Sequence, residues 1–224
     1  IMGRDAGWLT ASAALPTYLG GYGPDYVYLP EVPFSMNGFF QDLRRAMAKK
    51  PNVVVAVSEG IRFSDGKYVG EGTQSGSADV FGHKYLGGTG KALELAVKKE
   101  LGCKVRSVEL NLPQRCAAHC ASLCDLSESA EAGQAGVEAA VIGATGAMVS
   151  ILRAPENGKA DSYSVSYETS EISGIANKER SVPPEYINDA GNMVTDECLA
   201  YIRPLIQGEP QLRYKNGIPV HIVL

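Results

Sequence analysis

Val53-Val54-Val55-Ala56-Val57-Ser58-Glu59-Gly60 is the stretch of this 224-residue chain that decides its fold. Its first five residues form a continuous run dominated by valine, the pattern of a strand buried on both faces. Upstream, Phe39, Leu43, Ala46 and Met47 recur at helical spacing behind Ser35, a residue suited to an N-cap. Further back, residues 25–29 form a short apolar run bounded by Gly23-Pro24 and Pro30, which predicts a strand, and residues 6–15 predict a helix stopped by Pro16. Downstream, residues 61–85 carry Gly66, Gly70, Gly72, Gly76 and Gly82 among Ser, Thr and Asp, and predict a long loop or a lid. The alternation then resumes: a helix at 93–101 closed by Gly102, a strand at 104–110, a long helix at 125–142, strands at 147–152 and 162–169, and a late helix at 196–206. Strands that alternate with helices predict an α/β, three-layer sandwich with a mostly parallel sheet, whose ligands bind beyond the carboxyl ends of the strands.

Composition narrows the function classes. The net charge is −4 and no long Lys/Arg run is present, which argues against nucleic acid as a partner. No stretch reaches the ~20 apolar residues of a membrane helix, so no membrane partner is expected. Five cysteines, an odd number, lie in apolar segments and suit reduced thiols, and hence a cytoplasmic protein, better than a disulfide framework. The first residues enter a helical pattern directly, so the chain reads as a fragment that begins at the end of a strand.

Three strand ends carry charged residues. Met2-Gly3-Arg4 sets a glycine and a guanidinium at a helix entrance, where backbone N–H groups and the planar fork of arginine suit a phosphate; a capped helix with an exposed arginine is the bland alternative. Glu59 stands at the mouth of the crevice, where a carboxylate accepts hydrogen bonds from two adjacent hydroxyls, as a sugar demands. Arg106, in the strand at 104–110, and Arg115, just past it, supply two cations to one dianionic phosphate or else form two unrelated surface pairs. Val105, Val108 and Leu110 are expected to turn part of that strand into the core. Cys116, Cys120 and Cys124 with His119 recur at helical spacing; one helix face wraps poorly around a tetrahedral ion, and small buried thiols are the expectation. Neither a Gly-x-Ser-x-Gly elbow nor a nucleophile partner for His83, His119 or His221 is present, which argues against a serine hydrolase. Gly87-Gly88-Thr89-Gly90-Lys91 lacks the spacer of a phosphate loop and reads as a turn and helix start.

Taken in order, Met2-Gly3-Arg4-Asp5-Ala6-Gly7-Trp8-Leu9, Leu29-Pro30-Glu31 with Pro33-Phe34, Ser58-Glu59-Gly60, Phe81-Gly82-His83 with Leu86-Gly87-Gly88, and Gln114-Arg115 resemble the second half of a phosphofructokinase. The resemblance implies that Met2, Gly3 and Arg4 hold fructose 6-phosphate, with Arg4 also neutralising the transferring phosphoryl group. It implies that Glu59 binds sugar hydroxyls, that Arg106 reaches the 6-phosphate from a neighbouring subunit of a homo-oligomer, as the matching arginine does in bacterial ATP-using members, and that Arg115 meets the substrate directly, with Gln114 and Leu112 beside it. Leu112 is a departure, because bacterial ATP-using members carry a histidine there. With Gly7-Trp8-Leu9 and the glycine-rich insertion at 61–85, it makes the chain look more like pyrophosphate-dependent members; an ATP-dependent enzyme and a non-catalytic sugar-phosphate-binding or regulatory domain are the alternatives. The family's donor-phosphate motif and its segment bearing the catalytic aspartate are not in this sequence, so the chain alone is expected to be inactive. Magnesium is implied for the complete enzyme, its ligands mostly outside this chain. The resemblance divides the chain into a fructose 6-phosphate-binding lobe (1–116), a helix and strand crossing back toward a donor-binding lobe (117–152) and a C-terminal segment completing the fold (153–224).

Overall fold

The computed structural model describes residues 1–71, 88–154 and 163–220. In chain order its elements are α1 (Trp8–Ala11), α2 (Leu15–Tyr18), β1 (Tyr26–Tyr28), α3 (Met36–Met47), β2 (Val55–Val57), α4 (Thr89–Leu101), α5 (Asn111–Cys116), α6 (Leu123–Val141), β3 (Ala147–Arg153), β4 (Val165–Glu171), α7 (Asp196–Ile202), β5 (Tyr214–Lys215) and β6 (Ile218–Pro219). They fall into two compact units, residues 1–116 with 179–201, and residues 117–178 with 202–224.

The first unit is built on the parallel pair β1–β2, in which Val27 lies opposite Ala56. The amphipathic α3 supplies Phe39, Leu43 and Ala46 to the core and begins at Ser35, whose hydroxyl accepts the Gly38 amide at 3.2 Å. Tyr28 meets Phe34 and Phe39 nearly edge to face, and Ile61, Leu93 and Val97 close the cluster. One carboxylate is buried here. Asp42 accepts from Tyr28 Oη and Asn192 Nδ2, each at 2.8 Å, and pairs with Arg45 at 3.2 Å. It thereby ties α3 to β1 and to the returning segment 179–201, and burial beside this acceptor pushes the Tyr28 hydroxyl's pKa up.

The second unit packs α6, capped by Ser122 through the Asp125 amide, against the antiparallel pair β3–β4, where Ser150 and Ser170 share a hydrogen bond of 2.8 Å. Val137, Val141 and Ile142 at the end of the long helix are exposed.

The α/β class is what the structure shows, with three local departures from the expected elements. The helix at 6–15 is broken into α1, a 3-10 turn and α2, and Pro16 lies in the first turn of α2, where its missing N–H costs no helical bond, so it does not stop the chain. Residues 104–110 are extended but form no ladder among the described residues; Val105 packs on the core whereas Val108 and Leu110 are exposed. Cys116 ends α5, Cys120 sits in a 3-10 turn and Cys124 lies in the first turn of α6, so the three thiols share no helix face, and the first two are exposed. The expected loop at 61–85 lies outside the described residues from 72 onward, as do the Phe81-Gly82-His83 and Leu86-Gly87 motifs and His221.

Candidate functional site

The carboxyl end of β2 holds the start of the chain in place. Ile1 lies beside it in the manner of a parallel ladder: the Ile1 nitrogen donates to the Val57 carbonyl, and the Glu59 amide to the Ile1 carbonyl, each at 2.9 Å. Glu59 then turns its carboxylate onto the next residues, with Oε1 accepting the amides of Gly3 at 3.2 Å and Arg4 at 3.3 Å. From the other side Gln114, on α5, accepts the Met2 amide and donates to the Met2 carbonyl, both at 2.9 Å. The Ala6 amide closes a turn on the Gly3 carbonyl at 3.1 Å, and Arg4 adopts a left-handed φ of 45°. Such a conformation costs energy for a residue with a Cβ and persists where its surroundings hold it. Gly60 allows the arrangement, since a Cβ there would overlap the Arg4 carbonyl.

Further contacts brace this turn. Asp5 pairs with Arg62 and accepts from the Tyr68 hydroxyl at 3.1 Å, and Arg62 also stacks over the Tyr68 ring at 4.4 Å. Glu31 Oε1 accepts the amides of Gly7 and Val182, each at 2.8 Å, while its Oε2 is buried without a hydrogen-bond partner among the described residues. The buried Thr89 hydroxyl, at the start of α4, donates to the Glu59 carbonyl at 2.9 Å. Gly88 precedes it with φ of 78°, so Gly87-Gly88-Thr89-Gly90-Lys91 does contain a helix start.

This clamped turn lies in the segment that matches a known family model, that of phosphofructokinase, over residues 1–119. The chain belongs to the phosphofructokinase family. It is 33% identical over 219 residues to a pyrophosphate--fructose 6-phosphate 1-phosphotransferase of Halomonas elongata, covering 98% of this chain and 51% of that protein. It is 31% identical over 189 residues to a sulfofructose kinase of Alkalicoccus urumqiensis, covering 84% of this chain and 46% of that one. The crystal structure of a pyrophosphate-dependent phosphofructokinase from Nitrosospira multiformis matches with a TM-score of 0.81 at 30% identity, over 99% of this chain and 50% of that chain. The chain thus spans about half the length of the curated relatives it matches.

Of the residues that the phosphofructokinase resemblance singled out, Met2, Gly3, Arg4, Glu59 and Gln114 form one hydrogen-bonded group. Arg115 follows Gln114 on α5 and is exposed, with Leu112 exposed one turn earlier. Arg106 projects from the extended segment, exposed, and borders the same cavity as Met2 and Glu59. Neither Arg106 nor Arg115 has an ion pair among the described residues, so the charge of each is available to an anion. The segment that carries Arg106 is fixed to α4 by Glu94, which accepts both the Ser107 amide (3.0 Å) and the Ser107 hydroxyl (2.7 Å). Hydrogen bonds from Lys91 and Ser107 lower the Glu94 carboxyl to about 2. Among the described residues no three His, Cys, Asp or Glu side chains come together to hold a metal, so they offer magnesium no cage. No helix among them is long and apolar enough to cross a membrane.

Sequence reasoning missed Asp5, Arg62, Tyr68 and Thr89 as braces of the turn. Glu31 carried a signal in Leu29-Pro30-Glu31, but its partner at Val182 is remote in sequence and nothing local announces it.

Proposed function

We propose that this chain is the acceptor-binding part of a pyrophosphate-dependent 6-phosphofructokinase, gripping fructose 6-phosphate whose 1-hydroxyl receives a phosphoryl group to give fructose 1,6-bisphosphate. The observation that carries the reading is Glu59, which commits Oε1 to the Gly3 and Arg4 amides and keeps Oε2 without a hydrogen bond among the described residues. That oxygen is the acceptor for sugar hydroxyls. The same carboxylate presets the backbone from which Arg4 reaches the transferring phosphoryl group, so little ordering remains to be done when substrate arrives. Arg115 binds the acceptor beside Gln114, and Arg106 supplies a further cation to the 6-phosphate in a homo-oligomer. Leu112, unable to hydrogen-bond, leaves phosphate recognition to the arginines. The names of the relatives support pyrophosphate as donor. Magnesium, when bound, neutralises phosphoryl oxygens; in this reading its ligands, the donor phosphates and the catalytic aspartate belong to a companion half, and this chain alone does not turn over. A cytoplasmic location fits a soluble sugar-phosphate enzyme.

Calorimetric titration with fructose 6-phosphate, repeated on Arg115→Ala and with sulfofructose as competitor, tests the proposal. Saturable binding lost in the variant and weaker for the competitor is expected. Tighter binding of sulfofructose, or heat unaffected by Arg115→Ala, overturns it.

A further inference from the structure

Asn111 shares a left-handed backbone with Arg4, its φ being 40°. Only glycine takes that conformation without cost, and asparagine usually tolerates it through a hydrogen bond from its side chain to nearby backbone. Asn111 lacks this support, for its side-chain amide has no hydrogen bond among the described residues. A purely conformational role would favour glycine here, so the backbone leaves the side chain unexplained. Strain of this kind collects at residues that a site puts to use.

The surroundings of Asn111 supply a use. It joins the extended segment that carries Arg106 to α5, which carries Gln114 and Arg115. Both sides of this junction are anchored: Gln114 exchanges two bonds of 2.9 Å with Met2, and Ser107 gives its amide and hydroxyl to Glu94. With Met2, Glu59 and Arg106, Asn111 borders a cavity of about 640 Å³. From Ser107 to Gln114 three side chains can donate a hydrogen bond. The Ser107 hydroxyl is spent on Glu94 and the Gln114 amide is engaged with Met2, which leaves the amide of Asn111 uncommitted. Glu109, the one carboxylate in this stretch, accepts the Lys91 amide at the start of α4 at 3.4 Å. Leu112 offers no hydrogen bond.

We infer that the Asn111 side chain binds the phosphate of the acceptor sugar, Nδ2 donating to a phosphate oxygen as a neutral partner to Arg106 and Arg115. A phosphate dianion only accepts, and the Asn111 amide brings two N–H groups to it without a further charge. The inference rests on the acceptor site proposed above and adds a residue to it. It also accounts for an apolar Leu112, because the phosphate then has an uncharged donor one position earlier in the chain.

Calorimetric titration with fructose 6-phosphate compares the wild type with Asn111→Gly and Asn111→Asp, and urea denaturation follows their stability. Glycine suits the left-handed backbone and removes the amide. Aspartate tolerates that backbone as asparagine does, and sets a charged oxygen where the donor was. The glycine variant is expected to be about as stable as the wild type and to bind about tenfold more weakly. The aspartate variant, still folded, is expected to bind about a hundredfold more weakly or not at all, since like charges then meet. Wild-type affinity in the glycine variant overturns the inference. Wild-type affinity in the aspartate variant does so too, since an acceptor at this position then serves as well as a donor and the contact is to a sugar hydroxyl. Absence of binding in all three proteins removes the acceptor site and the inference with it, whereas a loss confined to the variants keeps both.

Discussion

Gln114 treats the Met2 peptide as a strand would, its Oε1 accepting the Met2 N–H and its Nε2 donating to the Met2 C=O, both at 2.9 Å. The pairing joins α5, which carries Arg115, to the turn that carries Arg4. Gln114→Glu preserves the acceptor but sets a second oxygen against the Met2 carbonyl. The expected cost is about 1–3 kcal/mol in stability, with a several-fold loss of fructose 6-phosphate affinity. Urea denaturation and calorimetry measure the two; unchanged affinity would show that the two arginines are positioned independently of this bond.

Gly60 answers to a different constraint, the closeness of the Arg4 backbone. A methyl group there overlaps the Arg4 carbonyl, and backbone cannot step aside as a flexible side chain would. Gly60→Ala is expected to destabilise the first unit by about 1–3 kcal/mol and to displace the Glu59 bonds to Gly3 and Arg4. Chemical-shift changes at the amides of residues 3 and 4 check it: a variant that leaves those shifts in place contradicts the contact.

What was legible in sequence depended on how local its cause is. Glu59 announced itself because a valine run can end only at the mouth of a sheet, and the Gly102 cap of α4, with φ of 62°, follows from a residue type that tolerates that conformation. The split of the helix at 6–15 turns on which helical position Pro16 occupies, and a pattern that only stops at proline does not resolve that. The pairing of residues 104–110 was beyond reach for another reason, since alternation makes a strand competent but a neighbour makes it a strand. Likewise Asp5 and Arg62 are ordinary charged residues until the chain folds, and the two hydrogen bonds that Glu31 accepts, from the Gly7 and Val182 amides, join residues far apart in the chain. The chemical groups of the candidate site were readable, whereas the bracing that orients them was not.

The hold of α4 on the Arg106 segment rests on an ionised carboxylate, which makes it sensitive to acid. Glu94 accepts from Lys91 Nζ at 2.8 Å and from Ser107 twice, and these bonds lower its carboxyl from 4.5 to about 2. Between those values the folded chain binds fewer protons at this site than the unfolded chain does. The stability that Glu94 contributes is therefore complete above pH 4.5, declines as pH falls, and is gone below about 2. Glu94→Gln removes the charge at every pH, so the wild type and the variant should differ in stability at pH 6 and converge toward pH 2. Thermal unfolding followed across that range measures the convergence, and exchange at the Ser107 amide shows whether the segment loosens with it. A constant difference from pH 6 to pH 2 would mean that the Ser107 bonds, and not the charge of Glu94, hold residues 103–111 against the helix.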